Sequence, residues 1–380
     1  MISVIVINYN GKEHISACLS SLANQTLSKA EYEIIVADNA STDGSKEFVA
    51  KKYPGIRLLE LDENTGFSKA NNIAVEKAAG DWIVFLNNDT EADINWLSEL
   101  KKASLENPDV SAFASKMLLF DKRDVIDSAG DFLSKYGFGY KRGHGEKDQG
   151  QYDRLEKIFG PCGGAGMFKK EVFKALGGFD EDFFAYCEDV DLNFRLKIYG
   201  YKACFAYKAV VYHKLGGTFK RESDQHLFLS QRNQEFALFK NAPAKTIVLH
   251  WFYNIYSFIK HLFKGKAGVF LKAKFEAVKG RKKFLEKRRW ITAKNKFTVK
   301  KDELDLLLAK LENNSYRKFF VEPEEAERRT VKALLEKKKL LEALEKKSAE
   351  LFVKLFLDDS ADLVFLGRMY YLFGEKKYID

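Results

Sequence analysis

Four short apolar runs in the first ninety residues each break off into a cluster of Asn, Asp and Gly, and this recurrence constrains the fold most. Residues 2–7 end in Asn8-Tyr9-Asn10-Gly11, and residues 33–37 end in Asp38-Asn39-Ala40-Ser41-Thr42-Asp43-Gly44. Residues 56–61 lead to Glu63-Asn64-Thr65-Gly66, and residues 82–86 end in Asn87-Asn88-Asp89. Runs this short and rich in β-favouring residues suit strands buried on both faces of a sheet. Between them lie helical patterns: Ile15, Leu19 and Leu22 over 12–24, a helix over 45–52 stopped by Pro54, and another through Ala79. Strands alternating with helices indicate βαβ units and a parallel sheet.

In a parallel sheet all the carboxyl ends lie on one edge, where open α/β sheets bind nucleotides. Any one of the polar clusters is ordinary turn chemistry. Four on one edge, the last carrying Asp89, favour a nucleotide site. A buried Asp89 needs a partner, and a metal or phosphate ligand is offered at such a strand mouth. No Gly-x-Gly-x-x-Gly and no Gly-Lys-Ser/Thr follows a strand, which argues against a dinucleotide dehydrogenase or a P-loop enzyme. A diphosphate here is then held mainly by a metal.

The segments Val4 to Asn10, Val36 to Gly44, Asn64-Thr65-Gly66-Phe67-Ser68-Lys69-Ala70-Asn71-Asn72 and Phe85-Leu86-Asn87-Asn88-Asp89, in this order, resemble the family 2 glycosyltransferases, most closely their rhamnosyltransferase-type branch. The resemblance covers roughly residues 1–240. It implies a GT-A fold, an α/β nucleotide-diphospho-sugar transferase with an open, mostly parallel sheet flanked by helices. It implies that Asp38 reads a uracil or thymine base. Asn8, Tyr9, Asn10, Asn39, Asn64, Gly66, Asn71 and Asn88 are expected around the nucleotide. The family's Asp-x-Asp metal motif falls on Asn87-Asn88-Asp89, where Asn87 replaces the first aspartate and leaves one carboxylate, Asp89, for Mn2+ or Mg2+. Hard divalent ions prefer several oxygens, so the donor diphosphate and water must supply the rest.

Downstream, residues 93–107 read as an amphipathic helix ended by Pro108, residues 110–119 as a strand, and residues 120–158 as a polar, glycine-punctuated loop on the acceptor side. In Gly160-Pro161-Cys162-Gly163-Gly164-Ala165-Gly166, small residues let a ligand approach the backbone, or make a tight turn into the next strand. The resemblance assigns Gly163, Gly164 and Ala165 to the donor and acceptor, and Arg195 is grouped with them. Glu188 and Asp189 begin a helix, where acidic residues are also favoured by the dipole. The resemblance makes this the catalytic pair, with Asp189 as the base that takes the acceptor hydroxyl's proton in an inverting transfer. A helix N-terminus is expected to keep Asp189 ionised. His213 follows a strand, and a histidine at the corresponding place in this fold completes the metal site, so it is expected as the second ligand.

The chain has 380 residues and a net charge of +9, with the excess in its C-terminal half. Residues 245–263 are its most apolar stretch, yet His250, Asn254, Lys260 and His261 interrupt any bilayer span. Two readings stand: an amphipathic helix lying in the membrane interface, or a buried core helix. The basic, aromatic-interleaved segment after it suits anionic lipid headgroups. Nucleic acid is the weaker candidate for it. Residues 301–380 are Leu-, Lys- and Glu-rich and read as a helical tail, a hairpin or a self-association element. The expected organisation is a catalytic domain over 1–240, a membrane-associating helical segment over 241–300 and a helical tail over 301–380. Cys18, Cys162, Cys187 and Cys204 have no zinc spacing and read as reduced thiols. The N-terminus reads as a strand rather than a signal peptide, which places the protein in the cytoplasm, peripheral to the inner face of the membrane.

The expected activity is an inverting, metal-dependent transfer from a UDP- or dTDP-sugar to a hydroxyl of a saccharide or lipid-linked acceptor in cell-surface polysaccharide synthesis. The alternative, prompted by Asn87, is a catalytically impaired nucleotide-sugar-binding or scaffold protein.

Overall fold

The computed structural model describes residues 1–134, 136–215 and 223–294. The expected tail helices over 301–380, and self-association through them, lie outside the described residues.

The first half follows the alternation read from the sequence: β1 (Ile2–Asn8), α1 (Lys12–Ala23), β2 (Tyr32–Asp38), α2 (Ser45–Lys52), β3 (Arg57–Glu60), α3 (Gly66–Lys77) and β4 (Trp82–Asn87). Then come β5 (Thr90–Ala92), α4 (Trp96–Glu106), β6 (Val110–Leu119), β7 (Lys122–Ser128), β8 (Asp131–Leu133), β9 (Gly139–Lys141) and β10 (Glu156–Lys157). β11 (Ala165–Lys169), α5 (Lys170–Ala175), α6 (Glu188–Ile198) and β12 (Lys202–His213) complete the sheet region. Three helices close the described chain: α7 (Asp224–Asn241), α8 (Ala244–Phe263) and α9 (Ala267–Lys294).

The main sheet runs β10-β12-β6-β11-β4-β1-β2-β3, with β5 against β12 and β7 against β6. β1 pairs parallel with β2 and β4, and β2 with β3, so the polar ends of β1, β2 and β4 do share one edge. β11 is antiparallel to both β4 and β6 and makes the sheet mixed. In β1, Val4, Ile5 and Val6 are all fully buried, because helices cover both faces of the sheet. One face packs Trp96, Leu97 and Leu100 of α4 with α1. The other gathers Phe85, Phe173 and Phe179, whose ring centroids lie 4.9–5.2 Å apart. Burying each such ring is worth about 1.5–3 kcal/mol.

One expectation needs correction. Residues 120–158 are not a bare loop: β7 extends the main sheet and β8 pairs with β9 as a separate ribbon. That ribbon is locked in place, because Asp131 N and Gly160 O are hydrogen-bonded at 3.0 Å. The segment 245–263 falls within α8. α8 is a helix with one buried face, and among the described residues no helix is long and apolar enough to cross a membrane.

The C-terminal helices are tied together by burial. Phe236 of α7 stacks on Phe284 of α9 at 4.0 Å between centroids, and Phe183 meets both edge-on. At the centre, buried Glu235 of α7 accepts from Lys274 of α9 at 2.6 Å and from Asn254 of α8 at 2.8 Å, with His250 Nε2 at 2.9 Å.

Candidate active site

Asn8 is the hub at the sheet edge. Its amide nitrogen lies 2.9 Å from Asp38 Oδ2, 2.8 Å from Ser45 Oγ and 3.2 Å from Ser41 Oγ, and its Oδ1 accepts from Asn88 Nδ2 at 3.0 Å. One side chain thus joins the ends of β1, β2 and β4. Ser41 N donates to the other oxygen of Asp38 at 2.8 Å. Asn10 braces the same loop by accepting from Thr42 N at 2.8 Å, while Tyr9 is half-buried.

A second ring closes between β2 and α3. Asn39 donates to Asn64 Oδ1 at 2.9 Å and accepts from Thr65 N at 2.9 Å, and Gly66 N donates to Asn64 Oδ1 at 3.0 Å. Gly66 has φ +79°, and a Cβ there would sit 2.6 Å from Phe184 O, so only glycine fits. Asn71 is buried one turn into α3 and donates to Phe67 O at 2.9 Å. Asn39, Asn64 and Asn71 bond within the protein and brace this ring.

Asp89 and His213 meet across the β5–β12 pairing, with His213 Nε2 3.3 Å from Asp89 Oδ1. Behind them, His213 Nδ1 lies 2.8 Å from Oδ2 of Asp127, a fully buried carboxylate at the end of β7 that also accepts from Lys141 Nζ at 2.7 Å. Burial works against the charged imidazole, but Asp127 and Asp89 outweigh it and hold His213 above its usual pKa. Burial also works against charge on Asp127, yet His144, His213 and Lys141 hold it far below the carboxylate range.

The loop 161–164 connects this corner to Glu188 and Asp189. Asn87 N donates to Gly164 O at 3.0 Å, and one residue earlier Gly163 N donates to Asp189 Oδ2 at 2.9 Å. The N–H of Gly163, read from the sequence as open to a ligand, is thus engaged by Asp189. Its missing side chain leaves room for the Phe67 ring and for Glu188, whose Oε1 would lie 3.5 Å from a Cβ. Ala165 is buried at the start of β11. Val190 N donates to Asp189 Oδ1 at 2.8 Å.

Burial weighs on both carboxyl groups of this pair. Burial raises Asp189, the N–H groups of Gly163 and Val190 lower it, and the balance leaves it above the ordinary carboxylate value rather than held down by the helix N-terminus. Glu188 is raised much further, by burial and then by the charge of Asp189, and its Oε2 is buried with no hydrogen-bond partner.

Arg195 does not belong to the donor loop. It is 3% exposed, pairs with Asp191 and donates to the carbonyls of Leu176 and Gly178. It is an internal tie.

Asp127, Asp131 and Lys141, which lie close to His213 and Asp189, sit in the segment expected to be a loop. Asp131 is buried and raised well above its usual value, by burial and then by Asp189. A carboxylate inside Val125-Ile126-Asp127, at the end of a β-favouring run, was the available signal. Asn233 of α7 was also missed. Its fully buried amide lies 2.7–2.9 Å from the carbonyls of Phe183, Ala185 and Tyr186. It holds a turn in which Phe184, Tyr186 and Cys187 all have positive φ, immediately before Glu188.

Residues 3–177 match the family model described as glycosyl transferase family 2. An N-acetylglucosaminyl-diphospho-decaprenol L-rhamnosyltransferase of Mycobacterium tuberculosis is 26% identical over 258 residues, covering 60% of this chain and 80% of the relative. A poly(ribitol-phosphate) beta-glucosyltransferase of Bacillus spizizenii is 38% identical over 109 residues, covering 27% of this chain and 17% of the relative. Among solved structures, Staphylococcus aureus TarS 1-349 in complex with UDP-GlcNAc superposes with a TM-score of 0.53 at 17% identity, over 76% of this chain and 90% of that one. GalNAc-T7 with UDP, GalNAc and Mn2+ also gives 0.53, at 16% identity, over 78% of this chain and 58% of that one. At these identities the superpositions speak for the fold, a GT-A-like mixed sheet flanked by helices.

Proposed function

This chain belongs to the family 2 glycosyltransferases, and from that premise we propose an inverting, metal-dependent transfer of a sugar from a UDP- or dTDP-sugar to a saccharide or lipid-linked acceptor. The reading includes a role in cell-surface polysaccharide synthesis at the cytoplasmic face of an anionic membrane. One observation carries it. Hydrogen bonds joined by two backbone steps lead from Asp38 through Asn8 to Asn88, beside Asp89, and on from Asn87 through Gly164 and Gly163 to Asp189. The groups proposed for the nucleobase and the metal thus lie at one sheet edge, to which Asp189 is tied through Gly163.

Asp38 and Asn8 would present acceptors and donors to the pyrimidine. Asp89 and His213 would hold the divalent ion. Their contact at 3.3 Å and the buried Asp127 behind the imidazole fit such a role, since metal-bound histidines are oriented by a carboxylate on the other ring nitrogen. Among the described residues no cluster of three or more His, Cys, Asp or Glu side chains is arranged to hold a metal, so donor oxygens and water would complete the shell. One carboxylate and one imidazole favour Mn2+ over Mg2+. When bound, such an ion acts as a Lewis acid on the departing diphosphate.

Asp189 takes the acceptor hydroxyl's proton. Its raised pKa brings it nearer the working pH, which suits a base. Glu188 lies next to it in sequence, and burial and the charge of Asp189 raise its pKa.

A thermal-shift screen of UDP, dTDP and their sugar conjugates, with Mn2+ or with chelator, tests this reading. Wild type is expected to be stabilised by one nucleotide series in the presence of Mn2+, Asp89→Ala to lose the Mn2+-dependent increment, and Asp189→Asn to keep it while losing transfer. No stabilisation by any pyrimidine diphosphate would sink the proposal.

A further inference from the structure

α8 is amphipathic in the wrong sense for a helix facing water. Its polar residues point inward: Thr246, His250 and Ser257 are 2–3% exposed, and Asn254 donates to buried Glu235. Several of its large apolar residues point outward: Phe252 is 45% exposed, Tyr256 45%, Ile259 37% and Phe263 62%. Positions 252, 256, 259 and 263 recur at helical spacing and form one stripe, with Leu262 exposed at its edge. A contiguous patch of this kind marks an apolar partner rather than scattered surface residues.

The charge around the stripe identifies that partner. Residues 244–294 contain fourteen Lys or Arg and two Glu, a net charge of +12, where the whole chain carries +9. Several of these cations are engaged inside the protein, such as Lys274 with Glu235 and Lys287 with Asp180 and Asp182. Lys260 and Lys282 are exposed and face no acidic partner among the described residues. Lys260 adjoins the stripe, where an interfacial helix places its cations.

We propose that the outward face of α8 docks in the interface of an anionic lipid bilayer, with Phe252, Tyr256, Ile259 and Phe263 inserted and the lysines on the headgroups. This deepens the membrane association included in the proposed function by naming the face that makes it. The same helix is fastened to the catalytic region. Tyr253 stacks on Phe138 at 4.5 Å, and His250 Nδ1 bonds to Tyr136 O at 2.7 Å. Next along, a Cβ on Gly139 would meet Val190, the neighbour of Asp189, at 2.8 Å. Docking through α8 therefore fixes the acceptor side of the cleft relative to the lipid surface, as a lipid-linked acceptor requires.

The test is co-sedimentation of the full chain with extruded vesicles of phosphatidylcholine alone or mixed with phosphatidylglycerol, without donor, over a salt series. Wild type is expected to pellet with the anionic vesicles and to release as salt rises. The quadruple variant F252S/Y256S/I259S/F263S is expected to lose roughly a hundredfold in partitioning, from the apolar area it no longer buries. Lys260→Glu with Lys282→Glu, which leaves the stripe intact, is expected to lose at least about tenfold on anionic vesicles only. Donor hydrolysis in solution should persist in both variants, which separates failure of docking from failure of the transferase reading. Three outcomes would overturn the proposal: wild type that stays in the supernatant, stripe variants that pellet as wild type does, or a wild-type dimer that the stripe variant splits in the absence of lipid.

Discussion

Asp189 Oδ2 accepts the backbone N–H of Gly163 at 2.9 Å, so the proposed base is tied to the loop over the sheet edge. A base needs a fixed position and an ionised carboxylate. Burial raises the Asp189 pKa, and two backbone N–H groups restrain that rise.

Activity should accordingly increase with pH through a carboxylate titration lying above the ordinary aspartate value, because only the deprotonated form accepts a proton. Asp189→Asn keeps an oxygen for Gly163 N and should retain donor affinity. Its kcat should fall by about 10²–10⁴, the usual contribution of a positioned base. The acid limb of the kcat/KM profile should vanish with it. An Asp189→Asn enzyme of near wild-type kcat would assign the proton elsewhere, with Glu188 the next candidate.

Asp127 fixes the ring of His213 through Nδ1, leaving Nε2 toward Asp89. Asp127→Asn should weaken Mn2+ binding, measured by calorimetry in the presence of UDP, by about 10- to 100-fold. His213→Ala should give a loss at least as large. Unchanged Mn2+ affinity in both would remove His213 from the metal site.

The first half of the fold was legible because it is written locally. Apolar runs of strand length, each followed by a polar turn, fixed β1, β2 and β4 and the shared edge of Asp38 and Asp89. What was not legible depends on contacts distant in sequence. Asp127 and His213 are 86 residues apart, and in residues 120–158 the two-residue run Val125-Ile126 is a weak local sign of a sheet edge. Arg195 stands one helical turn after Asp191 and was misplaced for the same reason. Its three-dimensional partners, the carbonyls of Leu176 and Gly178, decide its role. The direction of α8 was equally hidden, since periodicity shows that a helix is two-faced but not which face looks inward.

Asn233 lies in α7, on the far side of the turn 183–187 from the nucleotide edge. Three backbone carbonyls of that turn converge on its amide. Asn233→Ala leaves buried carbonyls unsatisfied and should cost about 1–3 kcal/mol of stability. Because the turn carries Glu188 and Asp189, kcat should fall more than the donor KM rises. Asn233→Asp, unable to donate when ionised, should be no better than alanine. If stability drops while kcat holds, the turn does not position the catalytic pair.

Glu235 offers the clearest acid-stability test. Burial opposes its charge, but Lys274 and His250 outweigh burial and hold its pKa well below the carboxylate range. Asp180 behaves alike, lowered by Lys240 and Lys287 against the effect of burial. A carboxylate whose folded pKa is depressed contributes its full stability above the unfolded value, about 4 for Asp and Glu, and loses it as pH falls toward the folded value. Thermal stability should therefore hold from neutrality to about pH 5 and fall steeply below it as the unfolded chain takes up protons. Glu235→Gln leaves Lys274 buried without its counter-charge and should cost about 3–5 kcal/mol at pH 7. Its acid slope should be shallower than that of wild type, since one linked carboxylate is gone. Denaturant unfolding of both proteins at several pH values measures this directly. Parallel curves for wild type and Glu235→Gln would mean that the Glu235–Lys274 pair is not what resists acid.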